Sequence, residues 1–131
     1  RGPHENYADR KAGCRIGRFE STVTEQLGPY VVPQECGNKE EVRWFTITDQ
    51  SGKNGLCIEG QELFGFSALH FTPEQMTQAY HPWEMTPNRE CTLLIDAAQR
   101  GVGTASCGPD TLEKYRVKPG TYKLKLRITP V

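Results

Sequence analysis

Carboxyl groups are the side chains of this sequence best suited to bond-breaking chemistry. Two of them roughly 5–10 Å apart can act as acid and as base or nucleophile in the hydrolysis of a glycosidic bond. Glu40 and Glu41 are adjacent, so within a strand they would face opposite sides. Asp96 and Asp110 flank a glycine-rich loop and could converge on it. Neither pair is persuasive, and the residues by themselves do not predict a complete active site.

Other catalytic and metal-binding signatures are missing from the sequence. It contains no Gly-x-Ser-x-Gly elbow, no phosphate-binding loop and no HExxH motif. The odd number of cysteines, their wide spacing and the lack of a CxxC pair favour buried free thiols over disulfides or a metal site. The five are Cys14, Cys36, Cys57, Cys91 and Cys107. No histidine adjoins Cys107 in sequence to activate it as a nucleophile.

The segment RGVGTASCGPDTLEKY, residues 100–115, is the candidate functional loop. Gly101, Gly103 and Gly108 can adopt positive φ, and Pro109 fixes its own φ. Apolar segments, CTLLID and TYKLKLRIT, flank it. A shaped loop on a rigid sheet is a common place for binding residues. The alternative is a tight turn that binds nothing.

Length and composition indicate one rather polar domain. The chain has 131 residues and equal numbers of basic and acidic residues, 16 of each, and its mean hydropathy is −0.63. This balance predicts no electrostatic attraction for nucleic acid or an anionic membrane. No apolar run is long enough to span a bilayer, and no signal-like segment opens the chain. Because the first residue is Arg1, we expect a piece of a longer protein.

The elements that must position these residues are short strands. Residues 41–49 predict a strand with Val42 and Trp44 on one face and Phe45 on the other, both faces covered and Trp44 buried. Asn54-Gly55 predicts a hairpin to LCIEG, followed by a further β segment, ELFGFSALHF. Strict alternation over residues 122–128 predicts a last strand with one face in the core.

The remaining segments complete the predicted fold. Residues 14–26 suggest one or two strands, and Tyr30-Val31-Val32 between prolines suggests an edge strand or extended loop. A T-x-x-Q capping box at Thr72 predicts one short helix near residues 73–80. The sum predicts an all-β fold, an antiparallel β-sandwich with a single short helix.

Four sequence motifs add a family resemblance to this pattern. They are GPHENYADR at 2–10, PYVVPQECG at 29–37, FSALHFTPE at 66–74 and GVGTASCGPD at 101–110. Taken in this order and spacing, they resemble the C-terminal, small-chain domain of bacterial β-galactosidases of glycoside hydrolase family 2. The match runs from end to end, so residues 1–131 are expected to be a single domain, the C-terminal part of the terminal β-sandwich. The polar motif Glu5-Asn6-Tyr7 with Asp9-Arg10 is expected to hold one end of the sandwich together.

The resemblance implies a division of labour within a longer enzyme. In that family two glutamates of a central barrel carry out retaining hydrolysis, and barrel residues hold the assisting Mg²⁺. None of those positions falls in this sequence, so the resemblance implies no catalytic residue, no metal ligand and no cofactor here. The implied partners are the rest of the enzyme chain and the aglycone side of a galactoside, with no nucleic acid or membrane. The full enzyme is expected to be a homo-oligomer, cytoplasmic or periplasmic.

The resemblance also assigns the loop. In relatives the matching loop reaches the mouth of the galactose pocket, which makes Ser106, Cys107, Gly108 and Asp110 the candidate substrate-binding residues. Cys107 stands where well-known relatives carry a tryptophan that offers a flat face to the sugar beyond galactose, and the loop is one residue shorter. A thiol gives less apolar contact than an indole. We therefore expect a roomier entrance and weaker retention of the leaving sugar.

Two other functions stay open at this stage. A free-standing carbohydrate-binding module would need exposed aromatic side chains, for which Trp44 and Trp83 are the candidates. A purely structural or oligomerisation domain would need no ligand. Binding of galactose or lactose by the isolated chain separates the first of these from the second.

Overall fold

A computed structural model describes residues 1–102 and 110–131, and these residues form a mostly β structure. The strands are β1 (Lys39–Thr48), β2 (Gly55–Leu69), β3 (Thr92–Asp96) and β4 (Leu126–Pro130). The single α-helix of the described part, α1, spans Pro73–Gln78. Three single 3₁₀ turns occupy Thr24–Gln26, Pro82–Glu84 and Glu113–Tyr115. The predicted all-β class with one short helix is confirmed.

Strand β2 is the centre of a four-stranded antiparallel sheet. β1 pairs along most of its length, β4 pairs with its first part, and β3 pairs with its last part. The predicted hairpin is present, and the Asp49 amide donates to the Asn54 carbonyl at 2.8 Å. The two β segments expected after the turn are one continuous strand of 15 residues. This long strand brings β1 and β3, which are distant in sequence, to one sheet.

The expected alternation along β1 is wrong in its first half. The register with β2 shifts between Lys39 and Val42 and again between Val42 and Trp44, so the pairing is irregular there. Simple alternation does not continue through this stretch, and Val42 and Phe45 both enter one core cluster with Ile58 and Phe64. Trp44, expected to be buried, is 46% exposed instead.

Helix α1 begins as its sequence predicts and ends earlier than expected. Thr72 accepts a hydrogen bond from the Gln75 amide, and the Gln75 side chain accepts one from the Thr72 amide. The last helical residue is Gln78, because Ala79 is already extended, with ψ 135°. Within the described ranges, no helix is long and apolar enough to cross a membrane.

Two segments form less regular structure than their sequences suggest. Between residues 14 and 26 the described backbone has one isolated bridge, from Gly2 to Arg15, and no strand. Local hydrogen bonds stabilise this segment instead of strand pairing, because the Glu25 carboxylate accepts from Ser21 Oγ at 2.8 Å and from the Thr22 amide at 2.9 Å. The last strand starts only at Leu126.

Among the described residues, buried apolar side chains form two clusters. One lies beside α1 and contains Cys36, Leu69, Phe71 and Met76. The other is the sheet cluster around Phe45 and Ile58. The described cysteines are all free thiols. The sequence predicts buried thiols, and of these four only Cys36 is buried, the others being half-buried.

Candidate functional site

The two ends of the candidate loop meet in a cluster of ion pairs. The Asp110 carboxylate pairs with the Arg100 guanidinium and, at 3.0 Å, with Arg116 Nη2. Its Oδ1 also accepts from the Thr111 amide at 2.8 Å. Asp110 was predicted to contact substrate, and the structure gives this carboxylate two cationic partners at the base of the loop.

Hydrogen bonds to backbone carbonyls also join the two ends of the loop at this base. Thr111 Oγ1 donates to the Gly101 carbonyl at 2.7 Å, and the Gly101 amide donates to the Tyr115 carbonyl at 3.1 Å. Arg116 Nε donates to the Thr111 carbonyl at 2.8 Å. Both Gly101 and Thr111 are buried. We call this cluster the loop stem; its members are Arg100, Gly101, Asp110, Thr111 and Arg116.

The glycine of the loop stem lies very close to the side chain of Asp9. A Cβ on Gly101 would lie 2.5 Å from the carboxyl carbon of Asp9, closer than side chains can pack. Asp9 belongs to the GPHENYADR motif, so the first and fourth sequence motifs meet at this point. The loop stem is therefore anchored on the segment that opens the chain.

Three of the predicted substrate-binding residues, Ser106, Cys107 and Gly108, lie outside the described residues. Their role stays a prediction. Sequence reasoning included Arg100 and Thr111 in the candidate loop but missed their contacts, and it missed Arg116, because the two ends of the loop meet only in the folded chain. The acidic Asp110 between flanking arginines was the available signal.

Two buried asparagines connect the N-terminal segment to β1. Asn6 and Asn38 are 0% and 1% exposed. The backbone amide of Asn6 donates to the backbone carbonyl of Asn38 at 2.8 Å, and the side-chain Nδ2 of Asn38 donates to the backbone carbonyl of Asn6 at 2.9 Å. Asn6 Oδ1 accepts from the Glu40 amide at 3.0 Å. We call Glu5, Asn6 and Asn38 with their hydrogen-bond partners the polar brace.

Glu5 completes the polar brace. Its carboxylate accepts from the Gly37 amide at 2.9 Å and from the Tyr30 hydroxyl, and it lies 3.3 Å from Arg10 Nη2. Burial, followed by the contact with Glu5, raises the pKa of Tyr30, so the phenol stays protonated and donates. The expectation that this motif holds one end of the structure together agrees with these contacts.

A pair of carboxyl groups that sequence reasoning did not combine lies where β1, β2 and β3 run side by side. Glu40 and Asp96 line one depression of about 60 Å³, together with Gly65 and Gln99. Gly65 pairs with Asp96 across the sheet, which explains how residues so distant in sequence meet. Burial raises the pKa of both carboxyl groups.

The volume of this depression limits what it can do. A few waters fit in about 60 Å³, whereas pockets for small ligands measure roughly 300–1,000 Å³. The pair can hold protons, but a sugar ring does not fit between its walls. Within residues 1–102 and 110–131, no three His, Cys, Asp or Glu side chains are grouped so as to hold a metal ion.

The neighbouring Glu41 has the opposite electrostatic environment. Its carboxylate lies 2.8 Å from Lys11 Nζ and 2.6 Å from Arg1 Nε. These contacts, the one with Lys11 first, lower the pKa of Glu41 to about 2. The adjacent glutamates of β1 therefore differ: partial burial raises the pKa of Glu40, whereas two ion pairs lower the pKa of Glu41.

Comparison with known proteins gives one consistent family. A family model described as β-galactosidase small chain matches residues 1–128. The chain is 41% identical over 131 residues to a β-galactosidase of Priestia megaterium, which covers 95% of this chain and 13% of the relative. It is 39% identical over 130 residues to one of Bifidobacterium adolescentis, covering 97% and 12%, and 38% identical over 133 residues to one of Streptococcus thermophilus, covering 99% and 13%.

Proposed function

Because the chain belongs to the β-galactosidase small-chain family, we propose that residues 1–131 are a non-catalytic domain of a longer β-galactosidase. The parent enzyme would hydrolyse terminal β-D-galactosides such as lactose with retention. The alignment carries this proposal, since it covers nearly all of the chain but only 12–13% of each of these three relatives. A segment of that size leaves room elsewhere for a catalytic barrel with its glutamates and Mg²⁺.

The proposed role of this domain is to supply one wall of the substrate pocket through residues 101–110. The loop stem supports this role, because ion pairs and hydrogen bonds join the two ends of the loop to each other. Precise positioning of a binding loop requires such supports. We assign Ser106, Cys107 and Gly108 to contact with the aglycone, and Asp110 to positioning of the loop.

The carboxyl groups near the loop support the non-catalytic assignment. The Asp110 carboxylate forms ion pairs with two arginines. The Glu5 carboxylate accepts from the Gly37 amide and lies beside Arg10. Glu40 and Asp96 share a depression too small for a sugar. We expect the purified 131-residue chain to cleave no galactoside, and cleavage by that chain alone would overturn the proposal.

Replacing Cys107 by tryptophan in the full-length parent enzyme tests the loop assignment. An indole would restore a stacking surface for the sugar beyond galactose, worth about 0.5–1.5 kcal/mol. We expect the KM for lactose to fall roughly two- to tenfold. The KM for a galactoside with a small, non-stacking leaving group should stay unchanged.

The matched control is Cys107→Ser, which keeps the side chain small and should leave both KM values near those of the parent. Equal changes for the two substrates would indicate a general effect on galactose binding. Unchanged lactose binding in Cys107→Trp would contradict the placement of this loop at the aglycone.

One observation favours a second function, direct carbohydrate binding by this domain. Trp83 is 78% exposed and Trp44 is 46% exposed. His81 stacks on one face of the Trp83 ring, with centroids 4.3 Å apart, which leaves the other face available to a sugar. Titration of the 131-residue chain with galactose or lactose, followed by tryptophan fluorescence, should show saturation if this second function holds. Trp83→Ala should then abolish the signal.

A further inference from the structure

The turn between β1 and β2 contains a dipeptide with chemical reactivity of its own, Asn54-Gly55. Asn54 is exposed, and Gly55 is the first residue of β2. The backbone nitrogen of a residue that follows asparagine can attack the side-chain Cγ of that asparagine. Glycine hinders this attack least, because it has no Cβ. The other three asparagines of the chain precede tyrosine, lysine and arginine, so Asn54 is the asparagine best suited to this reaction.

The pairing of the two strands requires glycine at position 55. Thr48 is the cross-strand partner of Gly55. A Cβ at position 55 would overlap the Ile47 carbonyl oxygen and would lie 2.8 Å from Thr48 Cα. A side chain that would shield Asn54 therefore does not fit without a shift of β1 against β2. The reactive dipeptide is a consequence of how the hairpin is built.

Asp49 holds the side chain of Asn54 on the other side of the turn. Asn54 Nδ2 donates to Asp49 Oδ2 at 2.7 Å, and the Asp49 backbone amide donates to the Asn54 carbonyl at 2.8 Å. Asp49 Oδ1 accepts from Ser51 Oγ at 2.7 Å. The hydrogen bonds from Asn54 and Ser51 lower the pKa of Asp49 to about 2. The carboxylate that holds Asn54 is therefore ionised at neutral pH.

We propose that Asn54 is a site of spontaneous deamidation and that its hydrogen bond to Asp49 slows the reaction. The Gly55 nitrogen forms a bond to Asn54 Cγ, the bond from Cγ to Nδ2 breaks, and the amide group leaves as ammonia with the proton of the Gly55 amide. Water then opens the resulting succinimide. Opening at Cγ gives aspartate, and opening at the backbone carbonyl gives isoaspartate. One water is consumed and one ammonia is released, with no oxidant or reductant.

Either product weakens the turn. Aspartate at position 54 has the shape of asparagine, but it presents a second carboxylate to Asp49 where the native side chain donates a hydrogen bond. Two like charges at this distance repel each other. Isoaspartate lengthens the main chain by one carbon beside the hydrogen bond between the Asp49 amide and the Asn54 carbonyl. The modification is therefore expected to loosen the hairpin at its turn.

Peptide mapping of the full-length parent enzyme tests the inference. The native protein is incubated in mildly alkaline buffer, and its peptides are quantified by mass spectrometry. We expect the peptide with Asn54 to gain the mass of the acid and to separate into two products of equal mass, aspartate and isoaspartate. The peptides with Asn38 and Asn88 are internal controls and should stay unchanged. Asn54→Gln should abolish the signal, because glutamine forms the larger imide ring far more slowly.

A second variant tests the restraint by Asp49. Asp49→Ala removes the acceptor of Asn54 Nδ2, and we expect the rate of deamidation to rise roughly three- to tenfold, the equivalent of one net hydrogen bond. Ser51→Ala is the matched control, because it removes the other side-chain partner of Asp49 and leaves the bond to Asn54 in place. Its rate should stay near that of the parent.

Hydrogen exchange of the peptide covering residues 49–57 measures the effect of the product. Asn54→Asp should speed exchange of the turn amides in the full-length parent, because the turn opens more often. The double variant Asp49→Asn with Asn54→Asp exchanges donor and acceptor, and it should restore the slower exchange. Fast exchange in the double variant would show that repulsion between the two carboxylates is not the cause.

An intact Asn54 in the native parent, over a time in which the urea-unfolded parent is converted, would overturn the inference, because the fold would then block the attack. Equal rates in Asp49→Ala and the parent would overturn the restraint. None of these readouts depends on galactosidase activity. A failure of the proposed function at Cys107 therefore remains distinguishable from a failure here.

Discussion

The two ends of strand β1 differ in how completely they are built. Its first residues belong to the polar brace, where Asn6 and Asn38 are fully buried and hydrogen-bonded. Its last residues lie beside exposed apolar side chains: Leu56, which pairs with Ile47, is 44% exposed, and Ile128, which pairs with Ile58, is 58% exposed. One end of the strand is held in a buried polar network, and the other end borders apolar side chains that solvent reaches.

The difference follows from the different nature of hydrogen bonds, which need particular partner atoms, and of hydrophobic burial, which is not directional. A buried amide without a partner costs about 1–3 kcal/mol at once, so polar groups need their partners in the same folding unit. Apolar surface costs only about 25 cal/mol per Å² while exposed. A segment can therefore leave an apolar face for a later partner, whereas its buried polar network must be complete.

Replacing Asn6 by alanine should break the closed end with the largest effect. The change leaves the Glu40 amide without its acceptor and removes donors from the Arg1 and His4 carbonyls. We expect the free energy of unfolding to fall by roughly 2–4 kcal/mol. Urea denaturation of the 131-residue chain, followed by far-UV circular dichroism, measures this. Asn54→Ala, at an exposed asparagine of the hairpin, should cost less than about 1 kcal/mol.

The open end supplies the contrasting variant for the same measurement. Ile128→Ala should cost less than about 1 kcal/mol in this chain, because most of the side chain is already in water. A loss for Ile128 as large as that for Asn6 would mean that the Ile128 side chain is covered in the isolated chain, and the contrast between the two ends would fail.

Replacing Gly101 by alanine should disturb the loop stem by an intermediate amount. The added methyl group would lie 2.5 Å from the Asp9 carboxyl carbon, so Asp9 must move. We expect a loss of roughly 1–3 kcal/mol in the same denaturation experiment. Gly13→Ala is the control, because a Cβ there meets no atom within 4 Å. Equal stability of the two variants would contradict the close packing of the stem on the N-terminal segment.

The smallest effects should come from the two adjacent glutamates and should have opposite signs. The pKa of Glu41 is about 2 in the folded chain, below its ordinary 4.5, so its stabilisation is present above pH 4.5 and is lost as the pH falls through 2. The pKa of Glu40 is raised by burial. Its ionisation therefore destabilises the fold at neutral pH, and the penalty is relieved as the pH falls below the raised pKa.

Glutamine substitutions separate these two contributions. At pH 7, Glu41→Gln should lower the free energy of unfolding and Glu40→Gln should raise it, each by less than about 1 kcal/mol. The amide introduced by Glu40→Gln keeps an oxygen that can accept from Asn38 Nδ2. Urea midpoints between pH 3 and 7 provide the measurement, and the two differences should shrink with acidity. Shifts of the same sign in both variants would contradict the assigned environments.

The elements predicted best from sequence are those determined by local bonds. The capping box at Thr72, the turn before Gly55 and the strand around Phe45 are all present. The prediction that Trp44 is buried was wrong. The irregular pairing of β1 with β2 depends on how the two strands meet, and it leaves no local signal in the sequence. The role of the candidate loop stays a prediction, whereas the contacts of Arg100 and Arg116 with Asp110 were found only through the structure.

The sequence by itself determined the class of fold, the position of the loop and the family, because turn residues, alternation and ordered motifs are written along the chain. Tertiary structure decided which residues meet. It joined Asp9 to Gly101 and Glu40 to Asp96, and it left Ile128 open beside the buried Ile58. These contacts arise because the long central strand β2 pairs with three other strands and because the N-terminal segment packs against the loop stem. The spacing of residues along the sequence does not indicate which distant segments meet in this way.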